Sequence, residues 1–389
     1  MEPRYIQHPV QEDLQLKMVF IAGPRQSGKT TVAKAILQNS AVGVYFNLDN
    51  DSDRRTVFKQ QWGDEKDLVV FDELHKYGRW KRWLKGIFDT RPGNQTYLIT
   101  GSARLDIYRR EGDSMLGRYH LWRLHPFSLS ELPRSVPRHD AVTRLMTLGG
   151  FPELLLSESE RTARRLRRER LERVFREDIR DLENIRNLSL VQTFLDALRS
   201  RVGSPVALAN LAGDLEISPV TAKRWLELLE RMYIVFTVWP LSKGLPRAVR
   251  KPPKVYFYDT GDVIGDEGAR AENLAACELK KLAEFREDSE GYRVDLRYIR
   301  DKEGREVDFA WIEEGKLREL IEVKLSDDST HKPLIYYAER LKPDKATQIV
   351  FNLKRSFSKG NYRVLSPMER FGDLLQIKSG FFSRPGVRP

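Results

Sequence analysis

A short segment near the N-terminus combines the residue types that bind a nucleoside triphosphate. Residues 18–31 read MVFIAGPRQSGKTT and contain the complete pattern G-x-x-x-x-G-K-[ST]. Glycines at the start and end of such a loop let backbone N–H groups approach phosphate oxygens, and the following helix directs the positive end of its dipole at the same anion. The pattern predicts that ATP is bound by Gly23, Pro24, Arg25, Gln26, Ser27, Gly28, Lys29, Thr30 and Thr31.

Individual residues of this loop have predicted roles, and a later strand supplies two further residues of the same site. Lys29 supplies charge to the β- and γ-phosphates, and the Thr30 hydroxyl is a ligand for Mg²⁺. Residues 68–71 are continuously apolar, as in a parallel strand buried on both faces, and are followed by Asp72 and Glu73. We expect Asp72 to complete the ATP and Mg²⁺ site and Glu73 to act as general base towards water. The alternative, two solvated carboxylates, is disfavoured by the phosphate loop upstream.

Two further parts of an ATP-hydrolysing site are predicted after residue 96. If the strand at residues 97–100 lies between the strands that bear the loop and Asp72, Ser102 senses the γ-phosphate. An arginine that reaches the active site of a neighbouring subunit is also expected, and Arg118, just before a strand at residues 119–124, is the first choice. An arginine that only faces solvent is the alternative for each of the four residues considered, which are Arg104, Arg109, Arg110 and Arg118.

The C-terminal region carries a second set of residues suited to metal chemistry. Its pattern predicts a helix, three strands, a helix and a strand at residues 267–285, 293–300, 305–313, 317–325, 332–341 and 347–353. Asp308 lies in the second strand of the three, while Glu322 and Lys324 share a face of the third. Two carboxylates on adjacent strands suit Mg²⁺ or Mn²⁺, and Lys324 beside them would orient water and stabilise charge on a phosphate under attack. The sequence therefore predicts a catalytic site.

Several residues around this second site have open interpretations. Glu272, on the preceding helix, is a candidate additional metal ligand, and Glu306 is either another ligand or an ion-pair partner. Gln348 is a candidate substrate contact. The alternative for the whole group is an ordinary exposed sheet face. A zinc cluster is not expected, because one cysteine and six scattered histidines offer no ligand spacing.

The middle of the chain predicts a small helical unit that ends in a strand. Helices are expected at residues 208–215 and after Ser218, which is a natural N-cap with Pro219 at the first helical position. Residues predicted to face the core are Trp225, Leu228 and Leu229. A strand at residues 233–238 follows, then the basic segment 243–254. The arrangement resembles a winged helix-turn-helix, and the residues it would present to a DNA groove are Thr221, Lys223 and Arg224. Such modules also serve as protein–protein spacers.

Composition limits the class of protein and its partners. The chain has 389 residues, enough for two or three domains, with 40% apolar residues, 32% charged residues and a formal net charge of +11. The positive charge favours a polyanionic partner, and nucleic acid ranks ahead of a membrane because no apolar run approaches about 18 residues. RNA remains open beside DNA. Residues 161–186 predict a long basic helix, either a solvated face or a contact with DNA or another subunit. A lone cysteine and an N-terminus without an apolar signal region favour the cytoplasm.

The order of strands and motifs in the first 158 residues resembles the AAA superfamily. Residues 101–132, followed by GGFPE at 149–153, are similar to prokaryotic ATPases close to the archaeal-type and STAND NTPases. The resemblance implies a homo-oligomer, typically a ring. The C-terminal helix and strand order resembles the restriction-endonuclease-like PD-(D/E)XK superfamily, with Val307-Asp308 in place of Pro-Asp. Nearly the whole chain resembles a prokaryotic family that joins such an ATPase to a C-terminal domain of unknown function with nuclease-like motifs.

The predicted fold class is α/β, in three parts. Residues 1–158 form an AAA-type P-loop ATPase domain, 159–240 a helical lid with a winged helix-turn-helix, and 241–389 a PD-(D/E)XK nuclease-like domain with a basic tail. One functional hypothesis is an ATP-dependent enzyme that cuts branched or repair-related DNA. The alternative is a nucleotide-switched regulatory or defence ATPase that binds DNA or protein through a nuclease-like domain that does not cut.

Overall fold

The N-terminal part of the chain folds as a parallel sheet. The computed structural model describes residues 3–74, 77, 79–93, 95–101, 115, 117–157, 159–179, 188–241 and 251–372. Among these residues the first sheet has five strands, which are β1 Met18–Ala22, β2 Gly43–Asn47, β3 Leu68–Asp72, β4 Thr96–Gly101 and β5 Tyr119–Arg123. Their order in the sheet is β2-β3-β4-β1-β5. Strand β4 lies between β1, which leads into the loop, and β3, which carries Asp72, so the condition set for the role of Ser102 is met.

Helices cover this sheet on both faces, which explains why β1 and β3 are buried at every position. They are α1 Gln7–Leu14, α2 Lys29–Leu37, α3 Asp51–Phe58 and α4 Trp80–Thr90. Alternate residues of each strand point to opposite faces. Phe20 and Phe71 therefore belong to one apolar cluster, and Val19 and Val70 to another.

The middle of the chain is helical. Its elements are α5 Ala141–Thr147, α6 Pro152–Leu155, α7 Glu160–Arg173, a π-helical turn Val174–Ile179, α8 Leu188–Arg199, α9 Leu208–Asp214 and α10 Pro219–Arg231. The helix expected over residues 161–186 is α-helical only to Arg173, and residues 180–187 lie outside the described part. The predicted cap of α10 is confirmed, because the Ser218 side chain accepts a hydrogen bond from the Thr221 N–H at 3.0 Å. The three residues predicted for the core are buried.

A second sheet, of eight strands among the described residues, occupies the C-terminal half. Its elements in chain order are β6 Val235–Pro240, β7 Lys254–Phe257, α11 Glu267–Glu290, β8 Val294–Arg300, β9 Glu306–Glu313, β10 Lys316–Lys324, α12 Lys332–Leu341, β11 Lys345–Val350, β12 Phe357–Lys359, β13 Tyr362–Leu365 and α13 Pro367–Phe371. The predicted order of helix, three strands, helix and strand is confirmed. Strands β8, β9 and β10 are antiparallel and β11 joins parallel to β10. Assignment to the nuclease superfamily stays a prediction.

The sheet runs across the predicted domain boundary at residue 240. Strand β6 pairs with β7 and, through Trp239 and Pro240, with β8. A hairpin that would serve as a wing in an isolated module is here built into the large sheet. The sequence could not indicate this, because the pairing joins residues almost 60 positions apart.

Helix α11 connects the two halves of the molecule. Its 24 residues span about 36 Å, and it contacts β5 of the first sheet as well as β7, β8 and β10 of the second. It begins at the cap Asp266, whose side chain accepts from the Ala269 N–H, and ends at Gly291 with φ +73°. A helix of this length can place one side chain against the nucleotide-binding half and another beside the C-terminal carboxylates.

Candidate functional site

The phosphate loop has the backbone geometry that its glycines predict. A Cβ atom on Gly23 would lie 2.4 Å from the carbonyl oxygen of Leu124, which is impossible without a shift. Gly28 has φ +99° at the start of α2, a conformation that residues with side chains rarely adopt. Both glycines are therefore required by the fold of the loop itself.

Lys29 is held inside the loop that it serves. Its Nζ donates to the carbonyl oxygens of Gly23 at 3.0 Å and Pro24 at 2.8 Å, and the residue is 5% exposed. Within the described part of the chain, the buried Ser27 hydroxyl makes no hydrogen bond, so the loop holds a polar atom ready for a ligand. A triphosphate bound here would compete with the loop carbonyls for the Lys29 ammonium.

Asp72 lies at the centre of a hydroxyl cluster. It accepts hydrogen bonds from Thr30 Oγ1 at 2.7 Å, from the Tyr45 hydroxyl at 2.5 Å and from the Thr100 hydroxyl. The predicted pair Thr30 and Asp72 is therefore brought together, and its oxygen donors suit Mg²⁺. Burial, followed by the bond to Asp72, raises the pKa of Tyr45 well above its ordinary value. Tyr45 and Thr100 were missed because they lie on the neighbouring strands β2 and β4.

Glu73 follows directly and adopts a backbone conformation that glutamate rarely takes. Its φ is +58°, which costs on the order of 1 kcal/mol or more and is found most often at functional sites. The unusual backbone turns Glu73 away from the run of β3. Its role as general base stays a prediction.

The other predicted parts of the ATP site have mixed outcomes. Ser102, Arg104, Arg109 and Arg110 lie outside the described residues. Arg118 makes a two-pronged ion pair with Asp89 of its own chain, with Nε and Nη2 at 2.7 and 3.1 Å from the two carboxylate oxygens. Solvent screens such an exposed pair, so Arg118 can exchange Asp89 for another partner.

The C-terminal carboxylates surround a residue that sequence reasoning did not assign to the site. The Nζ of Lys254, on β7, lies 2.9 Å from Glu272, 2.6 Å from Glu306 and 3.1 Å from Asp308. Its side chain is completely buried. Although burial alone would lower it, the three carboxylates raise the pKa of Lys254 above its ordinary value, so the residue is a cation. Lys254 is the last residue of the basic segment at residues 243–254, and its complete burial excludes it from contact with DNA.

The other predicted residues meet on one side of this cluster. Lys324 Nζ donates to Glu322 at 2.7 Å, and the Asp308 carboxylate accepts from the Val323 N–H at 3.0 Å. Burial, and then the charge of Asp308, raise the pKa of Glu322. The same two causes raise the pKa of Glu272, whose carboxylate also accepts from the Tyr256 hydroxyl at 2.6 Å. The tertiary structure thus assembles all four predicted residues.

A divalent metal ion does not fit this assembly as it stands. No group of three or more histidine, cysteine, aspartate or glutamate side chains in the described part of the chain could hold a metal ion. The Lys254 ammonium takes the position between Glu272, Glu306 and Asp308 where such an ion would be bound. That Glu272, Asp308 and Glu322 hold a metal ion stays a prediction, and it requires Lys254 to move.

Glu306 and Gln348 make contacts that stabilise the fold. Glu306 is an ion-pair partner of Lys254 and, at 3.2 Å, of Arg300. Gln348 is fully buried and donates to the carbonyl oxygens of Asp327 and Ser329, so it holds the loop before α12. The expectation of a substrate contact at Gln348 is therefore corrected.

Helix α10 presents an exposed face consistent with a partner surface. Lys223 and Arg224 are exposed, Thr221 is half-buried, and Val220 is 77% exposed. Residues 242–250 of the basic segment lie outside the described part. DNA contact through this face stays a prediction.

The basic helix α7 is only partly a solvated face. Arg167 and Arg170 are buried and bind the carboxylate of Asp259 at 2.9 and 2.7 Å. Arg164 and Arg168 remain exposed and pair along the helix with acidic neighbours. Four-residue spacing alone could not separate the two sets, because both faces of the helix carry arginine.

Glu278 on α11 provides a test of the buried charges at the junction of the two halves. Its carboxylate accepts from the Leu129 N–H at 2.7 Å, and burial raises its pKa to about 7 from 4.5. The folded chain keeps a proton that the unfolded chain releases, so this group's contribution to stability is lost as pH rises from about 4.5 to 7. We expect the free energy of unfolding to decline by roughly 3 kcal/mol less in Glu278→Gln than in wild type, as measured by urea unfolding between pH 5 and 8. Exposed Glu339→Gln is the control; equal pH dependence in wild type and Glu278→Gln would contradict the prediction.

Comparisons with known proteins identify the N-terminal part. Residues 15–133 match the family described as AAA domain. Residues 139–263 and 267–371 match two families described as domains of unknown function, DUF8612 and DUF4143. Uncharacterised proteins of Mycobacterium bovis and Mycobacterium tuberculosis are each 25% identical over 246 residues, 63% of this chain. The chain matches only 54% of the length of these relatives.

Solved structures give weaker likenesses. AMPPCP-bound DnaA from Aquifex aeolicus is 17% identical with a TM-score of 0.28, covering 58% of this chain and 86% of that one. Thermotoga maritima RuvB R170A is 17% identical with a TM-score of 0.29, covering 60% and 85%. TM-scores this low carry no argument about fold or function. Among the described residues, no helix combines the length and apolarity needed to cross a membrane.

Proposed function

We propose that this chain, which carries an AAA-type ATPase domain, is a nucleotide-switched ATPase that binds DNA and does not cut it. The observation that carries the proposal is the contrast between its two sites. At the ATP site, Lys29 lies within the phosphate loop, and the oxygen atoms of Thr30 and Asp72 are within hydrogen-bond distance of each other. At the C-terminal site, Glu272, Glu306 and Asp308 already share the Lys254 ammonium.

The residues of the ATP site divide the work of binding and hydrolysis. The backbone of residues 23–28 and the Lys29 ammonium bind the phosphates, and Thr30 and Asp72 would hold Mg²⁺, which neutralises phosphate charge when bound. Tyr45 and Thr100 orient the Asp72 carboxylate through their hydroxyls. Glu73 is the group placed after β3 to accept a proton from water.

DNA is the proposed partner because of the charge and the exposed face of α10. The chain has a net charge of +11, and Lys223 and Arg224 are exposed beside Val220. A helix with an exposed N-terminal turn can enter a groove while its lysine and arginine side chains contact phosphates. A homo-oligomer, in which Arg118 leaves Asp89 to complete a neighbour's ATP site, belongs to the same proposal. RNA in place of DNA is an outcome of the test.

Metal-dependent cutting is the second candidate. One specific observation favours it: Asp308, Glu322 and Lys324 lie close together on the paired strands β9 and β10. Cutting would require Lys254 to leave the carboxylates so that Mg²⁺ or Mn²⁺ could enter.

One experiment separates the candidates. Labelled linear, forked and four-way DNA, and single-stranded RNA, are incubated with the protein, ATP and Mg²⁺ or Mn²⁺, while phosphate release, binding and cleavage are followed. We expect ATP hydrolysis, DNA affinity that differs between ATP and ADP, and intact nucleic acid. The double variant Lys223→Glu/Arg224→Glu should weaken DNA binding at least ten-fold, whereas Lys354→Glu/Arg355→Glu, on an exposed loop of the C-terminal half, should not. Cleavage that is lost in Lys324→Ala would establish the second candidate instead.

A further inference from the structure

Arg4, near the N-terminus, is packed against the phosphate loop. Its Nη1 donates to the Ser27 carbonyl oxygen at 2.7 Å and its Nη2 to the His125 carbonyl oxygen at 2.7 Å. A Cβ atom on Gly28 would lie 3.2 Å from Nη1. Arg4 is 8% exposed and its guanidinium lies 4.2 Å from the centre of the Phe127 ring. The guanidinium therefore fixes the position of the loop just before Lys29.

The same guanidinium is held by a carboxylate outside the ATP site. Glu131 accepts from Arg4 Nε at 2.6 Å and from the Tyr5 N–H at 2.8 Å. Although burial alone would raise it, the charges of Arg4 and then Lys281 lower the pKa of Glu131, so it is ionised. A buried, two-pronged pair of this kind has few alternative geometries.

The second cation on Glu131 comes from helix α11. Lys281 Nζ lies 2.6 Å from Glu131 and also donates to the Pro126 carbonyl oxygen at 3.1 Å and the Ser128 hydroxyl at 3.0 Å. Lys281 is 2% exposed. Ser27, Arg4, Glu131 and Lys281 thus form a continuous buried chain from the phosphate loop to α11. Nine residues earlier on the same helix, Glu272 binds Lys254 in the carboxylate cluster.

A change at Lys29 on nucleotide binding would supply the two states that such a chain needs. Lys29 donates to the carbonyl oxygens of Gly23 and Pro24. When its ammonium turns to a phosphate, those carbonyls lose their partner and the backbone of residues 23–27 must adjust. Ser27, at the end of that segment, is the residue that Arg4 holds.

We infer that Arg4 is a positioning residue of the ATP loop, and that the chain Ser27–Arg4–Glu131–Lys281 couples nucleotide binding to helix α11. This inference rests on the proposed function and names how its ATP site is regulated. Coupling is reciprocal, so a change on α11 must alter ATP affinity even though Lys281 touches no residue of the loop.

The test measures ATP binding and hydrolysis in full-length variants. Lys281→Met is expected to change the Kd for ATP about five-fold or more, and Lys281→Arg, which keeps the charge, to restore most of it. Arg4→Ala should raise the KM for ATP more than it lowers kcat, because it acts on loop position. The control is Arg286→Met, which breaks a partly buried ion pair with Glu313 at 2.9 Å on the same helix but away from the loop. Its ATP affinity should equal that of wild type.

Hydrogen exchange on the wild-type chain gives a measurement that needs no variant. A slowly hydrolysed ATP analogue should alter amide exchange in residues 277–285 of α11 and leave residues 316–324 of β10 unchanged. Wild-type affinity in folded Lys281→Met, together with unaltered exchange in α11, would overturn the inference alone. A wild-type chain that binds no ATP would overturn the proposed function and the inference with it.

Discussion

Lys29→Ala is expected to lower ATP turnover at least about 100-fold, the size of effect typical when one charged group that stabilises the transition state is removed. The ammonium is buried in the loop, 3.0 Å from the Gly23 carbonyl, and the ATP-binding loop brings no other lysine to the phosphates. Phosphate release at saturating Mg²⁺-ATP measures the effect. Glu73→Gln should differ, because it leaves ATP binding intact and lowers kcat alone.

A surface control separates this effect from general damage. Lys59→Ala removes an exposed lysine at the end of α3 and should hydrolyse ATP as wild type does. If Lys29→Ala retained more than a tenth of wild-type turnover, the loop would not be the hydrolytic site. Equal unfolding curves for all three variants would show that the losses are catalytic.

Lys254→Met is expected to destabilise the C-terminal half by about 3–5 kcal/mol, because removing one partner of a buried ion pair leaves the other charges uncompensated. Here three carboxylates lose the ammonium that lies within 3.1 Å of each. Methionine keeps a similar length, so the loss comes mainly from charge. Urea unfolding followed by circular dichroism measures it, with the exposed lysine variant Lys316→Met as control.

Removing the carboxylate charges should recover part of this stability. Glu272→Gln and Asp308→Asn, added to Lys254→Met, replace two unpaired charges by amides of similar shape. The pH dependence gives a second check. Burial and the charge of Asp308 raise the pKa of Glu272 to about 7, and the charge of Lys254 opposes that rise. Without the ammonium the pKa of Glu272 rises further, so the defect of Lys254→Met should grow as pH rises from 6 to 8. Strong stabilisation of the wild-type chain by Mn²⁺ without nucleotide would contradict the view that Lys254 is the resident cation.

The local parts of the fold were predictable because each depends on neighbours in sequence. The bounds of β1 and α12 agree with the predictions to the residue, and Ser218 caps α10 as expected. The phosphate loop follows from spacing, since only a few residues separate Gly23, Gly28 and Lys29. The pairing of Thr30 with Asp72 follows from the rule that parallel strands end at one edge of a sheet.

The groups that decide how the sites behave come from distant parts of the chain. Arg4 and Glu131 are 127 positions apart, and Lys254 and Asp308 are 54 apart. No motif marks such pairs, because a buried lysine and a solvated lysine have the same residue type and only burial distinguishes them. From residue type alone Lys254 belongs to a basic segment and Gln348 is a candidate substrate contact, although both are fully buried.

Motif spacing and apolar periodicity were enough to predict an ATP loop with Lys29, an acidic strand end at Asp72, and the order of strands that gathers Asp308, Glu322 and Lys324. Those features depend on spacing and on the period of apolar residues, which a linear chain records directly. Tertiary packing was needed to place the Lys254 ammonium among three carboxylates and the Arg4 guanidinium between Ser27 and Glu131. Both outcomes depend on which charges are removed from water together, and that is settled only when distant segments pack.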